Sequence, residues 1–273
     1  MSFISYAQNF EDVILWRALK HVRSGFYIDI GAGLPEIDSV TKAFYDRGWR
    51  GINVEPDPAS YSQLLVNRPD DVNLCVAISN ASGTTQFNIV SVGGLSTLDP
   101  DIAREHESKG RQVSREQVTV TTLDAMWNEY VGTNDVHFLK IDGEGFEEEV
   151  LRGNAWSRQR PWIIVVEATR PETEIASHQD WEPVLLGVGY FLAYADGLNR
   201  FYVAKEHAEL LSTFAYPPNV FDNFKLRGQH EAELRARAAE AYLTKILDSP
   251  SWRITKPLRW LGALSNQIIR RKL

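Results

Sequence analysis

The sequence predicts an α/β domain built on a mostly parallel sheet, closed by an antiparallel hairpin and followed by a helical tail. Three observations carry that prediction. Short β-branched and aromatic runs alternate with amphipathic stretches from Gly25 to Val203, the pattern of strands joined by crossover helices. A glycine turn, Gly31-Ala32-Gly33, stands where the first such run gives way to the first helix. Near the end, Asp196-Gly197 separates two aromatic runs, a hairpin signal because Asp-Gly fits the tight turns between antiparallel strands.

The elements follow in order. Ahead of the sheet, residues 12–19 carry Val13, Leu15, Trp16 and Leu19 at the spacing of a packed helix. Residues 25–30 read as the first strand and 39–48 as a helix whose buried face is Val40, Ala43, Phe44 and Tyr45. Residues 51–55 form a second strand, stopped by Pro56 and Pro58. A helix at 59–67 and a third strand at 72–78 come next. The pattern then weakens, and extra strands are expected at 84–90 and 118–121 around a polar loop, 91–115. Residues 136–141 are a fourth core strand, with a helix at 145–152. The run 162–167 is the most apolar of all, as suits a strand covered on both faces. Residues 190–194 and 199–203 make the hairpin. The stretch 231–247, rich in Ala, Glu, Arg and Leu without Gly or Pro, is expected as a helix. A second helix follows, with Pro257 in its first turn.

At 273 residues, with 44% hydrophobic and 24% charged positions, the chain has a globular composition and length enough for a large core. The single cysteine, Cys75, excludes an internal disulfide and any four-cysteine zinc site. The first residues lack a basic stretch before an apolar one, and no 18-residue apolar run occurs. A cytoplasmic setting is the expectation. The net charge of −7 hides an asymmetry: residues 225–273 hold 11 Lys/Arg against 4 Asp/Glu, a net of +7, leaving −14 on the rest. An acidic body is no footprint for nucleic acid; it reads as an enzyme with a basic docking tail.

Ligands of open α/β sheets bind beyond the carboxyl ends of the strands, which puts Asp29-Ile30-Gly31-Ala32-Gly33 at the site. Glycines there let the backbone approach a ligand. A dinucleotide fold wants a third glycine three positions later, where this chain has Glu36, a poor neighbour for a pyrophosphate. Asp29 before the glycines suits an ammonium group. Glu55, at the next strand end, can accept hydrogen bonds from both hydroxyls of a ribose. A ribose, an ammonium and no pyrophosphate fit S-adenosylmethionine better than NAD(P). The bland alternative is a tight turn with Asp29 and Glu55 as helix caps.

The same residues carry a family resemblance. Ser5-Tyr-Ala-Gln-Asn-Phe-Glu-Asp12, Phe26-Tyr-Ile-Asp-Ile-Gly-Ala-Gly33, Gly48-Trp-Arg-Gly-Ile-Asn-Val-Glu-Pro56 and Phe138-Leu-Lys-Ile-Asp-Gly-Glu-Gly145 resemble the FkbM-type methyltransferases, class I S-adenosylmethionine-dependent enzymes that methylate oxygen. The resemblance implies a Rossmann-like sheet of seven strands, the last one antiparallel. It implies adenine contacts around Val76, Ala77 and Ile78, with Asp57 as a further polar contact. It also suggests that Gln8 or Asp12 returns over the cofactor pocket. The expected division is an N-terminal cap at 1–24, a methyltransferase domain at 25–205 and a helical basic tail at 206–273.

Methyl transfer to a hydroxyl needs a positioned acceptor and a route for its proton. Asp142 and Glu144 leave the fourth strand end at the same rim as Asp29 and Glu55 and are the candidate catalytic pair; a cap and a first-turn charge are their ordinary alternatives. Glu167 ends the fifth strand and could join Asp142 around a magnesium ion, although no metal is expected. No two of the histidines, His21, His106, His137, His178, His207 and His230, have metal-ligand spacing. His178 could enter the site as a base, but a solvated loop is its commoner fate.

In the tail, Leu258, Leu261, Leu264 and Ile268 form an apolar stripe flanked by Arg253, Lys256, Arg259 and Arg270-Arg271-Lys272. Such a segment can lie on an anionic membrane with Trp252 and Trp260 at the interface, or pack on the body or a twin subunit. Ser251-Trp-Arg-Ile-Thr-x-Pro-Leu-Arg259 is similar to segments of bacterial polysaccharide glycosyltransferases. The expected function is therefore methylation of a sugar hydroxyl of a bacterial surface polysaccharide or its lipid-linked precursor, with a peripheral membrane or glycosyltransferase contact through 249–273. The rivals are an inactive cofactor-binding scaffold and an NAD(P)-dependent oxidoreductase.

Overall fold

The computed structural model describes residues 2–91 and 94–260, in two compact units, Met1–Phe224 and Lys225–Leu273. The first is organised by seven strands: β1 (Phe26–Ile30), β2 (Arg50–Val54), β3 (Val72–Leu74), β4 (Phe138–Ile141), β5 (Ile163–Glu167), β6 (Tyr190–Ala195) and β7 (Asn199–Ala204). Their order across the sheet is β6-β7-β5-β4-β1-β2-β3. All run parallel except β7, which is antiparallel to both β5 and β6. The seven strands with a reversed last one, and the Asp196-Gly197 hairpin, are as the sequence implied.

The pleat sends alternate residues to opposite faces, and each face has its own core. Ile28, Ile52, Leu139, Ile164 and Tyr202 pack on one side. Tyr27, Phe138, Val165 and Phe201 pack on the other, against Ile14, Leu15 and Leu19 of the helix Glu11–Leu19 and against Phe44. Burial on both sides explains why the central strands read as continuous apolar runs.

Three expectations need correction. The helix expected over 39–48 is one turn, Lys42–Tyr45. The Thr41 hydroxyl donates instead to Asp29, and Ser39 accepts from Arg68, holding residues 39–41 out of the helix. The strand expected over 72–78 breaks at Cys75-Val76: Val72–Leu74 closes the main sheet, while Ala77–Ser79 pairs with Val113–Thr122 in a separate three-stranded sheet that includes Gly83–Val90. The polar loop expected over 91–115 contains the helix Pro100–Ser108, capped by Asp99, whose carboxylate accepts from the Asp101 and Ile102 amides. Asp-Pro at N-cap and N1 was its sequence signal.

In the second unit, the helix Arg227–Asp248 runs 22 residues without one buried side chain. It stops at Ser249, whose extended backbone turns the chain into the short helix Pro250–Ile254. The Arg259 guanidinium stacks on the Trp252 ring at 3.7 Å. Leu261, Leu264, Ile268 and the 270–272 basic cluster lie outside the described residues. Among the described residues no helix is long and apolar enough to cross a membrane.

Candidate active site

The carboxyl ends of β1, β2, β4 and β5 open on a cavity of ≈ 700 Å³. Strand register lays a polar row beneath it. Asp29 on β1 faces Lys140 on β4 and Asn53 on β2, and Asn53 faces Asn73 on β3. Lys140 Nζ donates to the Gly31 carbonyl at 2.8 Å and lies 3.5 Å from Asp29 Oδ1 and 3.2 Å from Asp142 Oδ2. Burial works against its charge, but Asp142 and Asp29 outweigh burial and raise the ammonium above its ordinary range. Asp29 is 1% exposed, with Thr41 Oγ1 donating to its Oδ2 at 2.9 Å. Burial pushes its carboxyl up, and Lys140 opposes.

The glycine turn is held by two bonds, from the Gly31 and Ala32 amides to the Val54 carbonyl. Gly31 has φ +72, and a β-carbon there would collide with the Asp142 carbonyl oxygen. Glycine is required because the β1 and β4 ends nearly touch. Gly33, φ +58, has open space where a side chain would stand, and its amide donates to Glu55 Oε2 at 2.7 Å. Glu55 Oε1 accepts from the Asp57 amide at 2.8 Å. Each oxygen keeps a second lone pair for a ligand hydroxyl. Asp57 lines the cavity while capping the helix Pro58–Asn67 through the Ala59 and Ser60 amides. Ala77 lines it with Val76 and Ile78, just past the break after β3.

On the other side stand three carboxylates. Asp142, Glu144 and Glu167 each offer an oxygen within 4.8 Å of the others, and Asp142 Oδ1, Glu144 Oε2 and Glu167 Oε2 are buried with no partner. Such a group either shares protons or holds a divalent cation, and these three are the residues that could do so. Without a cation, burial followed by the Asp142 charge raises Glu144 to about 9 and Glu167 to about 11. Glu144 sits at φ +49. The loop around it is fixed by Glu147, whose Oε1 accepts from the Gly143 and Gly145 amides.

The mouth is bridged from the insert to the loop after β5. Arg111 grips both oxygens of Glu172 at 2.6 Å, which holds that carboxyl down at about 2. The N-terminal segment adds Gln8 and Glu11 to the lining. Glu11 Oε1 accepts from Asn199 Nδ2 at 2.8 Å. Asp12 turns away, accepting from the Ser5 hydroxyl and the Tyr6 amide as a brace.

Gly31, Gly33, Glu55, Asp57, Ala77, Asp142 and Glu144 thus meet on one lining, whereas Asp29 lies beneath it. His178 packs near Trp181, and His137 accepts from the Phe26 amide at the far end of the sheet. Sequence reasoning passed over Lys140, Glu11 and Glu172. The signal for Lys140 was a lone cation inside an apolar strand, which must have a partner. Glu172 had no local signal, since its partner lies 61 positions away.

The buried acids set a pH dependence. Burial raises Glu11, Glu55 and Glu147 to about 7 and Asp12 to about 6. Between the ordinary carboxylate range and about 7 the folded chain holds protons that the unfolded chain releases. Their contribution is therefore complete below that range and is lost as pH rises through about 7. Thermal melts are expected to give a higher Tm near pH ~5 than near ~8, and Glu11→Gln is expected to flatten the difference.

The model of the methyltransferase FkbM domain matches residues 29–192 of this chain. Among solved structures, it is similar to a TehB-like SAM-dependent methyltransferase from Corynebacterium glutamicum, at 12% identity over 71% of this chain and 88% of that one, with a TM-score of 0.39. Another is a SAM-dependent methyltransferase from Geobacter sulfurreducens in complex with S-adenosyl-L-homocysteine, at 14% identity over 96% of this chain and 86% of that one, with a TM-score of 0.27. No curated protein matches.

Proposed function

Since the chain belongs to the FkbM methyltransferase family, we propose that its cavity binds S-adenosylmethionine and methylates a sugar hydroxyl of a bacterial surface polysaccharide or its lipid-linked precursor. The observation that carries the reading is the pairing, in one cavity, of the Gly31–Gly33 turn and Glu55 with Asp142 and Glu144. Glu55, aimed by the Gly33 and Asp57 amides, accepts the ribose hydroxyls. The open space over Gly33 admits the ligand, and Val76, Ala77 and Ile78 line the place of the base. Asp29 acts from below, through Lys140 and the Gly31 carbonyl.

The bound cofactor supplies an electrophilic methyl group, so the chain's task is to hold the acceptor in line and take its proton. Asp142, 3.2 Å from the Lys140 ammonium, receives that proton. Glu144 and Glu167 keep theirs at neutral pH and orient the acceptor as donors. Asp142→Ala is expected to lower kcat by about 10²–10⁴-fold, and Glu144→Ala to raise KM for the acceptor, both with S-adenosylhomocysteine affinity kept. Transfer of labelled methyl to glycan, beside a binding titration, checks this; unchanged kcat in Asp142→Ala sinks the assignment.

In the same reading the exposed Trp252, Ile254, Leu258 and Trp260, with Arg253, Lys256 and Arg259, rest on the anionic inner face of the membrane or on a glycosyltransferase. Sedimentation with anionic vesicles is expected to capture the full chain and to fail at high salt; equal capture by neutral vesicles contradicts it.

A further inference from the structure

The two halves of the cavity differ, and the difference bears on which acceptor fits. Adjacent strands lie about 4.8 Å apart, so β7 stands about 14 Å from β1, across β4 and β5. In the function proposed above, on which this inference rests, the half over β1 and β2 belongs to the cofactor. The half over β5 and β7 is walled by Glu167, Asn199, Gln8 and Glu11. Asn199 is the register partner of Glu167 and donates to Glu11, so the wall is one connected piece. Glu11 and Asn199 are 4% and 7% exposed. Gln8, an exposed residue, lines the cavity, and its carboxamide has no hydrogen-bond partner among the described residues.

Acidic residues outnumber cations around this space. Among the described lining residues Lys140 is the single cation, and it is already engaged by the Gly31 carbonyl, Asp29 and Asp142. Glu174 stands with the acceptor half, as does Glu172, whose charge is already met by Arg111 and Lys109. A carboxylate or phosphate entering there would leave its water with no free cation on the lining to meet it. Hydroxyl groups suit the same wall, because each can donate to a carboxylate and accept from a carboxamide.

We infer that the acceptor group entering the cavity is an uncharged sugar, held through its hydroxyls by the Gln8–Glu11–Asn199 wall, and that uronic acids and phosphorylated sugars are refused. Gln8 is then a specificity-determining residue.

The test is a thermal-shift series on the full chain saturated with S-adenosylhomocysteine. The probes are matched methyl glycosides and their uronates in the gluco, galacto and manno series. At least one neutral probe is expected to raise the Tm while its uronate does not. Gln8→Glu and Gln8→Ala are expected to lose that shift and keep the shift caused by S-adenosylhomocysteine alone. Equal shifts from a neutral probe and its uronate overturn the inference. So does the absence of a shift from every neutral probe when S-adenosylhomocysteine still stabilises. Failure of S-adenosylhomocysteine itself to stabilise the parent chain overturns the cofactor reading and this inference with it.

Discussion

Lys140→Met is expected to cost about 3–5 kcal/mol of stability, the range for removing one partner from a buried ionic group. Methionine fills much of the same space, so the loss is electrostatic. It leaves Asp29, 1% exposed, and Asp142 without the cation that each faces, and it frees the Gly31 carbonyl from its 2.8 Å bond. With domain stabilities of about 5–15 kcal/mol, the variant sits near the edge of folding. A second substitution keeps the expectation testable. Asp29→Asn in the Lys140→Met background removes one orphaned charge and is expected to recover part of the loss in urea unfolding. A double variant no more stable than Lys140→Met contradicts the buried ion group.

Gly31→Ala is expected to damage binding more than any other single methyl. Two effects add. A left-handed backbone costs a residue with a β-carbon about 1–2 kcal/mol, and the methyl group would meet the Asp142 carbonyl oxygen, which is backbone and cannot rotate away. Relief requires the β1 and β4 ends to part, which moves the glycine turn and Asp142 together. A misplacement of about 1 Å can cost 10²-fold, so S-adenosylhomocysteine affinity is expected to fall on the order of 100-fold. Gly33→Ala is the control. Its φ of +58 brings the backbone cost, but no atom lies within 4 Å of the added carbon. Calorimetric titration of Gly31→Ala reads the affinity. Because the ligand enters over Gly33, collision is separated from strain by urea unfolding of both variants without ligand, where equal losses of stability contradict the close approach of the two strand ends.

What the sequence made legible was whatever rests on local pattern. The apolar runs at β1, β4 and β5 were visible because both faces of those strands are buried. The Asp196-Gly197 turn announced the reversed strand, and the glycines with Glu55 marked the rim of the cavity. What escaped depends on partners far along the chain. The strand 72–78 breaks because Ala77–Ser79 finds a better neighbour in Val120–Thr122. The helix at 39–48 shrinks because Thr41 is needed by Asp29. Asp29, legible as a site acid, serves a buried lysine rather than the lining, and only the β1–β4 register places the two opposite each other. Glu11 reaches the site through Asn199, 188 positions away.

Calorimetric titration of the full chain with S-adenosylhomocysteine, NAD and NADP asks whether the cavity holds the cofactor through the first two strand ends. S-adenosylhomocysteine is expected to bind at one site and the dinucleotides to give no heat. Glu55→Ala is expected to weaken binding on the order of 100-fold, the loss of two hydrogen bonds to the ribose hydroxyls. Binding of NAD, or an affinity for S-adenosylhomocysteine unchanged in Glu55→Ala, contradicts the account.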